Sequence, residues 1–188
     1  KLKIVRFVSE PTAAFLGYMA IDSKEFVDST GFTTQFSDEG LTLMYDLGGG
    51  TLDISLIEKY EDTCEVIWSD GNRSFGSEQL TNIIAKELVV SEREAETIKR
   101  NFTTVNTSGE YIDNIKLHSH INEWLTIAMN YLKSSLQDIV EHREIVVDNI
   151  LFTGGGTLFS GFQELLTQYC SDNQIRCRFS SDYNEMKY

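Results

Sequence analysis

Apolar and polar residues alternate along some stretches of this chain and recur every three to four positions along others. Residues 2–8, "LKIVRFV", read as a buried strand. Over 52–58, Leu52, Ile54 and Leu56 share one face while Asp53 and Ser55 share the other, the period of a half-buried strand. Residues 41–47 and "CEVIWS" at 64–69 predict strands before and after it, the last closed by the Asp70-Gly71 turn signal. Three strands in succession with short connections predict an antiparallel meander.

Helical spacing governs the rest. Ser9 can cap a helix opening on "EPTAAFLGYMA", with Pro11 in the first turn, where its missing N–H costs nothing. Leu80, Ile83, Ile84 and Leu88 form one stripe over 77–90. Ser91 and Glu94 make a capping box that starts a helix over 92–102, with Ala95, Ile98 and Phe102 at helical spacing. A long amphipathic helix over 119–141 turns Ile121, Trp124, Leu125, Ala128, Leu132, Leu136 and Ile139 inward. Residues 145–153 predict a strand, and 175–179 a last one. Between them, a helix over 159–169 has Phe162, Leu165, Leu166 and Tyr169 on its inner face. Residues 21–40 and "TTVNTSGEY" at 103–111 read as polar connections. The order predicts an α/β fold on a mixed sheet, neither a doubly wound βαβ series nor a P-loop fold.

The 188 residues suit one domain or one lobe of a larger protein, and 41% hydrophobic with 24% charged residues predicts a packed core. Sixteen basic against 29 acidic residues give a net charge of −13. That surface repels nucleic-acid phosphates and anionic membranes, so neither is expected as a partner. No apolar run is long enough to span a bilayer. The chain starts at Lys1 with strand-like sequence and no secretory signal, which reads as a piece of a longer polypeptide. Three cysteines without C-x-x-C argue against a disulfide framework or zinc site. Their apolar neighbours predict buried free thiols, and so a cytoplasmic or other reducing compartment.

Candidate chemistry centres on "MYDLGGGTLDIS", residues 44–55. Gly48, Gly49 and Gly50 can aim unhindered backbone N–H groups at one anion, and Thr51 adds a hydroxyl. Asp46 and Asp53 bracket them and could hold Mg²⁺ through water. A glycine hairpin flanked by surface acids fits the spacing as well. Gly154, Gly155, Gly156 and Thr157 lie between a strand and a helix, where α/β folds place ligands, but such a run can also be a plain tight turn. The 92–102 helix carries Glu96, Lys99 and Arg100 on its outer stripe, either a solvated face or, through Arg100, a platform for a nucleobase. His118, His120 and Glu123 make a poor metal set. There is no Ser–His–Asp triad, no Cys–His pair, and no Lys-Ser/Thr after either glycine run.

In this order, "VSEPTAAFLGY", "DLGGGTLDISLI" and "NILFTGGGTLFSGFQELL" resemble the second lobe of the actin/hexokinase/heat-shock ATPase superfamily, and within it the DnaK-type 70-kDa heat-shock chaperones. "FGSEQL" (75–80) and "ETIKRNFT" (96–103) match the loop and adenine-contacting helix expected between them. The resemblance covers nearly the whole chain. It implies a ribonuclease H-like, actin-like ATPase lobe over residues 1–188, with a mixed sheet, a three-strand meander, flanking helices and a reduced helical insert at about 81–116. It implies that Gly48, Gly49, Gly50 and Thr51 clasp the β/γ-phosphates of ATP or ADP. Asp46 and Asp53 would position the Mg²⁺ water shell and attacking water, with Glu10 assisting. Glu96, Lys99, Arg100 and Thr103 would contact the adenosine, and Gly154, Gly155 and Gly156 would pass beneath it.

The chain departs from the chaperone pattern in three places: Leu158 replaces an arginine, Ser160 a proline, and Ser77 the second glycine of the GG-E loop. No second D-x-G-T-like loop is present, so the first lobe is an expected partner, and the isolated lobe is expected to bind nucleotide weakly or not at all and to hydrolyse negligibly. Co-chaperones and client peptides would act through absent domains. The alternatives are an actin-like filament protein, a degenerate non-hydrolysing lobe, and a sugar or acetate kinase of the same fold; the last is disfavoured by E-P-T-A-A.

Overall fold

A computed structural model describes residues 10–22, 40–61, 63–101 and 115–180. The strand expected over 2–8, the Ser9 cap, Phe102 and the connections at 23–39 and 103–111 lie outside the described residues.

The meander forms as its alternation predicts. Strands β1 (Gly40–Leu47), β2 (Leu52–Tyr60) and β3 (Thr63–Asn72) are joined antiparallel. Strand β4 (Asn149–Thr153) lies parallel to β1, and β5 (Arg176–Phe179) parallel to β4, giving one mixed sheet ordered β3-β2-β1-β4-β5. Leu43, Tyr45 and Leu47 of β1 and Leu52, Ile54 and Leu56 of β2 all point into the main core. Between Leu56 and Ile57 the register with β3 shifts, leaving Ile67 as an extra residue, so that Ile67 and Trp68 both pack on that core.

The main core is completed by α4 (Ile115–Arg143) and α5 (Ser160–Asp172). Every residue predicted to face inward on α4 is buried, from Ile121 to Ile139. Tyr45 is fully buried; its hydroxyl donates to the Ala128 carbonyl at 2.8 Å, which satisfies the one polar atom the ring carries inside. On the opposite face α1 (Glu10–Asp22) sets Phe15 against Met44, Ile57 and Leu151.

Several expectations need correcting. The strand predicted over 145–153 is regular only from Asn149, where register first supplies a neighbour on both sides, Thr42 of β1 and Arg176 of β5. On α5, Leu165 faces outward, because the buried line runs Phe162, Leu166, Cys170, one residue every four. Only Cys170 is buried; Cys64 and Cys177 are half-buried, and none of the three is in a disulfide.

Candidate functional site

The first glycine run is a hairpin turn. Strands β1 and β2 end with Asp46 opposite Asp53 and Leu47 opposite Leu52. Gly48 N–H donates to the Thr51 carbonyl at 2.9 Å and closes the turn. That spends one of the three expected anion-facing amides, whereas those of Gly49 and Gly50 meet no backbone carbonyl among the described residues, and both glycines are exposed. Because Tyr45, Leu47, Leu52 and Ile54 point into the main core, the alternation puts Asp46 and Asp53 together on the other face.

The turn is held from behind by α2 (Glu78–Leu88). A helix start leaves backbone N–H groups in need of acceptors. The Ser77 side chain makes no cap here; Ser77 N–H donates to the Gly48 carbonyl at 3.0 Å and Glu78 N–H to the Gly49 carbonyl at 2.8 Å. This close approach needs Gly76, where an added Cβ would fall 2.1 Å from the Gly49 oxygen. Trp124 Nε1 donates to the Gly76 carbonyl at 3.3 Å and its indole stacks on Phe75, fixing the approach. The second glycine that the chain lacks in this loop falls at Ser77, whose buried side chain is accommodated.

The second run packs onto the first. Gly154 has φ +82°, and an added Cβ would fall 2.4 Å from the Leu47 oxygen and 2.5 Å from Asp46 Oδ1. A Cβ on Gly156 would meet the Leu47 side chain at 2.6 Å. What the sequence suggests as a loop is a 3₁₀ turn (Gly155–Leu158), with the buried Thr157 hydroxyl donating to the Gly154 carbonyl at 2.8 Å. Gly155 is exposed, with open space where its Cβ would be.

The third wall is α3 (Glu92–Arg100), started by Ser91 Oγ accepting from Glu94 N–H as the capping box predicts. Glu96 Oε2 takes Lys99 Nζ at 2.6 Å and the Thr81 hydroxyl at 2.8 Å, while Oε1 takes Arg100 Nε at 2.9 Å. The Lys99 ammonium, ahead of the opposing effect of burial and with help from Arg100 and Thr81, lowers the Glu96 carboxyl to about 2. The solvated-face reading holds for Arg100, whose side chain is 76% exposed, and fails for Lys99 at 12%.

These walls enclose a cavity of about 680 Å³. Gly49, Gly155, Gly156, Glu96, Lys99 and Arg100, separated by up to 107 positions in sequence, all line it. Gly48, Gly50 and Thr51 complete the adjoining turn, and Asp46 and Gly154 meet at its edge. The Glu10 side chain and Thr103 lie outside the described residues. Ser77, Glu78, Leu80 and Phe159 also line the cavity and were not anticipated as site residues, although "FGSEQL" carried a signal for the first three. Leu158 and Ser160, two of the departures from the chaperone pattern, stand in the wall. His120 instead pairs with Glu87 at 3.3 Å, and no group of three metal-ligating side chains occurs among the described residues. No helix among them is long and apolar enough to cross a membrane.

A mixed sheet of this order, with two glycine turns meeting at the ends of β1 and β4, defines an actin-like ATPase fold. The solved PilM-PilN type IV pilus biogenesis complex contains a chain that matches 93% of this one over 45% of its own length, with TM-score 0.59 and 16% identity. The family model for Hsp70 protein matches residues 1–108, and the chain belongs to the Hsp70 family. Its relatives include chaperone protein dnaK1 of Synechocystis, 23% identical over 96% of this chain and 29% of the relative. A heat shock protein 70 homolog of Acanthamoeba polyphaga mimivirus is also 23% identical, over 93% of this chain and 21% of the relative. The chain therefore spans less than a third of the length of these curated relatives.

Proposed function

We propose that this chain is the ATP-binding lobe of a divergent Hsp70-type chaperone ATPase, supplying one side of a nucleotide cleft. The observation that carries this reading is the convergence of both glycine runs and the charged face of α3 on one cavity. The amides of Gly49 and Gly50 and the side-chain-free surface of Gly155 suit the close approach of phosphate oxygens. Glu96, Lys99 and Arg100 stand on the nucleoside side, where the exposed guanidinium of Arg100 can stack on a base.

Asp46 and Asp53, paired across the hairpin, are hard oxygen donors of the kind that hold Mg²⁺ through its waters, with Glu10 assigned to assist them by family resemblance. Bound Mg²⁺ would neutralise phosphate charge there. The protein's own share is positioning, which is most of what phosphoryl transfer requires. Coupling of nucleotide state to co-chaperones and client peptides would pass through the remainder of a longer polypeptide.

Calorimetric titration of Mg-ATP and Mg-ADP tests the reading, on this chain and on a longer polypeptide carrying a first lobe. Binding in the longer form, abolished by Asp46→Ala or Asp53→Ala, is the expected result. Absence of binding in both forms would overturn it and leave a lobe that has kept the fold without the ligand.

A further inference from the structure

Lys99 sits in the proposed nucleoside wall, yet the bonds of its ammonium go to the protein itself. An ammonium has three protons to donate. Three acceptors lie within reach: Glu96 Oε2 at 2.6 Å, Thr81 Oγ1 at 2.9 Å and the Ser77 carbonyl at 3.3 Å. Its side chain is 12% exposed, against 76% for the neighbouring Arg100. To grip a ribose hydroxyl, Lys99 would have to release one of these partners. One release would uncover the Ser77 carbonyl of a buried residue, and the others would weaken the Glu96 cluster.

Ser77 is the key partner. Its carbonyl accepts from Lys99 on α3, and its N–H donates to the Gly48 carbonyl in the hairpin turn at 3.0 Å. Glu78 N–H holds the next carbonyl, Gly49, at 2.8 Å. Two hydrogen bonds across one residue thus connect α3 to the first glycine run. Thr81, on α2, ties the same lysine and the same glutamate together.

We infer that Lys99 is a positioning residue, a strut that locks α3 to the Gly48–Gly49 turn through Ser77, and that contact with the nucleoside falls to Arg100 and Glu96. This rests on the nucleotide reading for its purpose and not for its geometry.

The test compares Lys99→Met and the milder Thr81→Val with Arg100→Met as control, in the 188-residue chain without nucleotide. Amide hydrogen exchange and ¹⁵N–¹H spectra are recorded. Both strut variants are expected to shift the Gly49 and Gly50 amides. They should also speed exchange at Ser77 and Glu78 by about tenfold in Lys99→Met, with the buried β1 and β4 amides unchanged. Arg100→Met should leave those positions alone. Unmoved Ser77 and Glu78 amides in both Lys99→Met and Thr81→Val would overturn the strut, as would acceleration spread evenly over the sheet.

A second arm titrates the longer polypeptide with Mg-ATP and Mg-2′,3′-dideoxy-ATP. A strut predicts that Lys99→Met weakens both by the same factor. A loss confined to ATP would mean a ribose contact and overturn the proposal. If the unmodified protein binds neither nucleotide, the proposed function fails, and the amide measurements still decide the strut.

Discussion

The two glycine runs look alike in sequence and do opposite jobs in the structure. Gly48, Gly49 and Gly50 form a hairpin turn that no backbone crowds: a Cβ on Gly50 would meet nothing within 4 Å, one on Gly48 nothing closer than 3.5 Å, and one on Gly49 only the Glu78 side chain, at 3.0 Å. Gly154 and Gly156 are pressed against β1, where an added Cβ would lie 2.4 Å and 2.6 Å from atoms of Leu47. The first run is glycine where the backbone is open to something from outside. In the second, Gly154 and Gly156 are glycine because Leu47 of β1 already occupies the space, while Gly155 between them is open. A run of glycines therefore signals close approach without saying what approaches.

The contrast is sharpest in stability. Gly154→Ala should be the most damaging change, costing about 3–5 kcal/mol, since it adds a side chain at φ +82° and drives it into backbone. Urea denaturation measures this, and a cost near zero would erase the distinction between the runs. Gly76→Ala comes next, at roughly 2–4 kcal/mol, because its Cβ would lie 2.1 Å from the Gly49 oxygen and push the turn off α2. The same denaturation curve reports it, and loss of the Ser77 and Glu78 amide protection should accompany it.

Acid should act on the α3 wall more mildly. Glu96 titrates lower folded, at about 2, than its ordinary 4.5. Its contribution to stability is therefore complete above about 4.5 and disappears as pH falls to about 2. Glu96 is 34% exposed, so solvent screening reduces the effect. Glu96→Gln should flatten the stability-against-pH curve between those values, and an unchanged curve would show that the cluster contributes nothing. The smallest structural effect belongs to Gly50→Ala, within about 0.5 kcal/mol of the parent. If the proposed function holds, its consequence should appear instead as about tenfold weaker Mg-ATP binding in the longer polypeptide, through a methyl group placed over the amides proposed to face the anion.

Much of the fold was legible because the relevant signals are local. Period-two alternation marked β2, and period-3.6 spacing marked α4, whose inward residues are all buried. The Ser91 capping box started α3 where predicted. Errors came where a neighbour decides. Leu165 faces solvent although it fits the apolar stripe, because the phase of α5 is set by what lies beneath it. Residues 145–148 have the composition of a strand but precede the ladder, which starts at Asn149 and reaches back only through the Asp148 carbonyl accepting from Arg176 N–H.

The site divides in the same way. The residue types were readable: glycines for backbone approach, acids beside them, and a charged helix face. Their roles were not, since Lys99 and Arg100 are adjacent in sequence and differ in exposure from 12% to 76%. By itself, then, the sequence determined most of the described helices and strands, the meander and the residue types that could serve a nucleotide, because these follow from periodicity and side-chain chemistry. Only the tertiary structure decided that Gly154 must remain glycine while Gly50 need not, that Gly76 and not Ser77 is the tight position, and that Lys99 points inward. Each of those depends on which distant backbone atom occupies the adjacent space, and no local pattern records that.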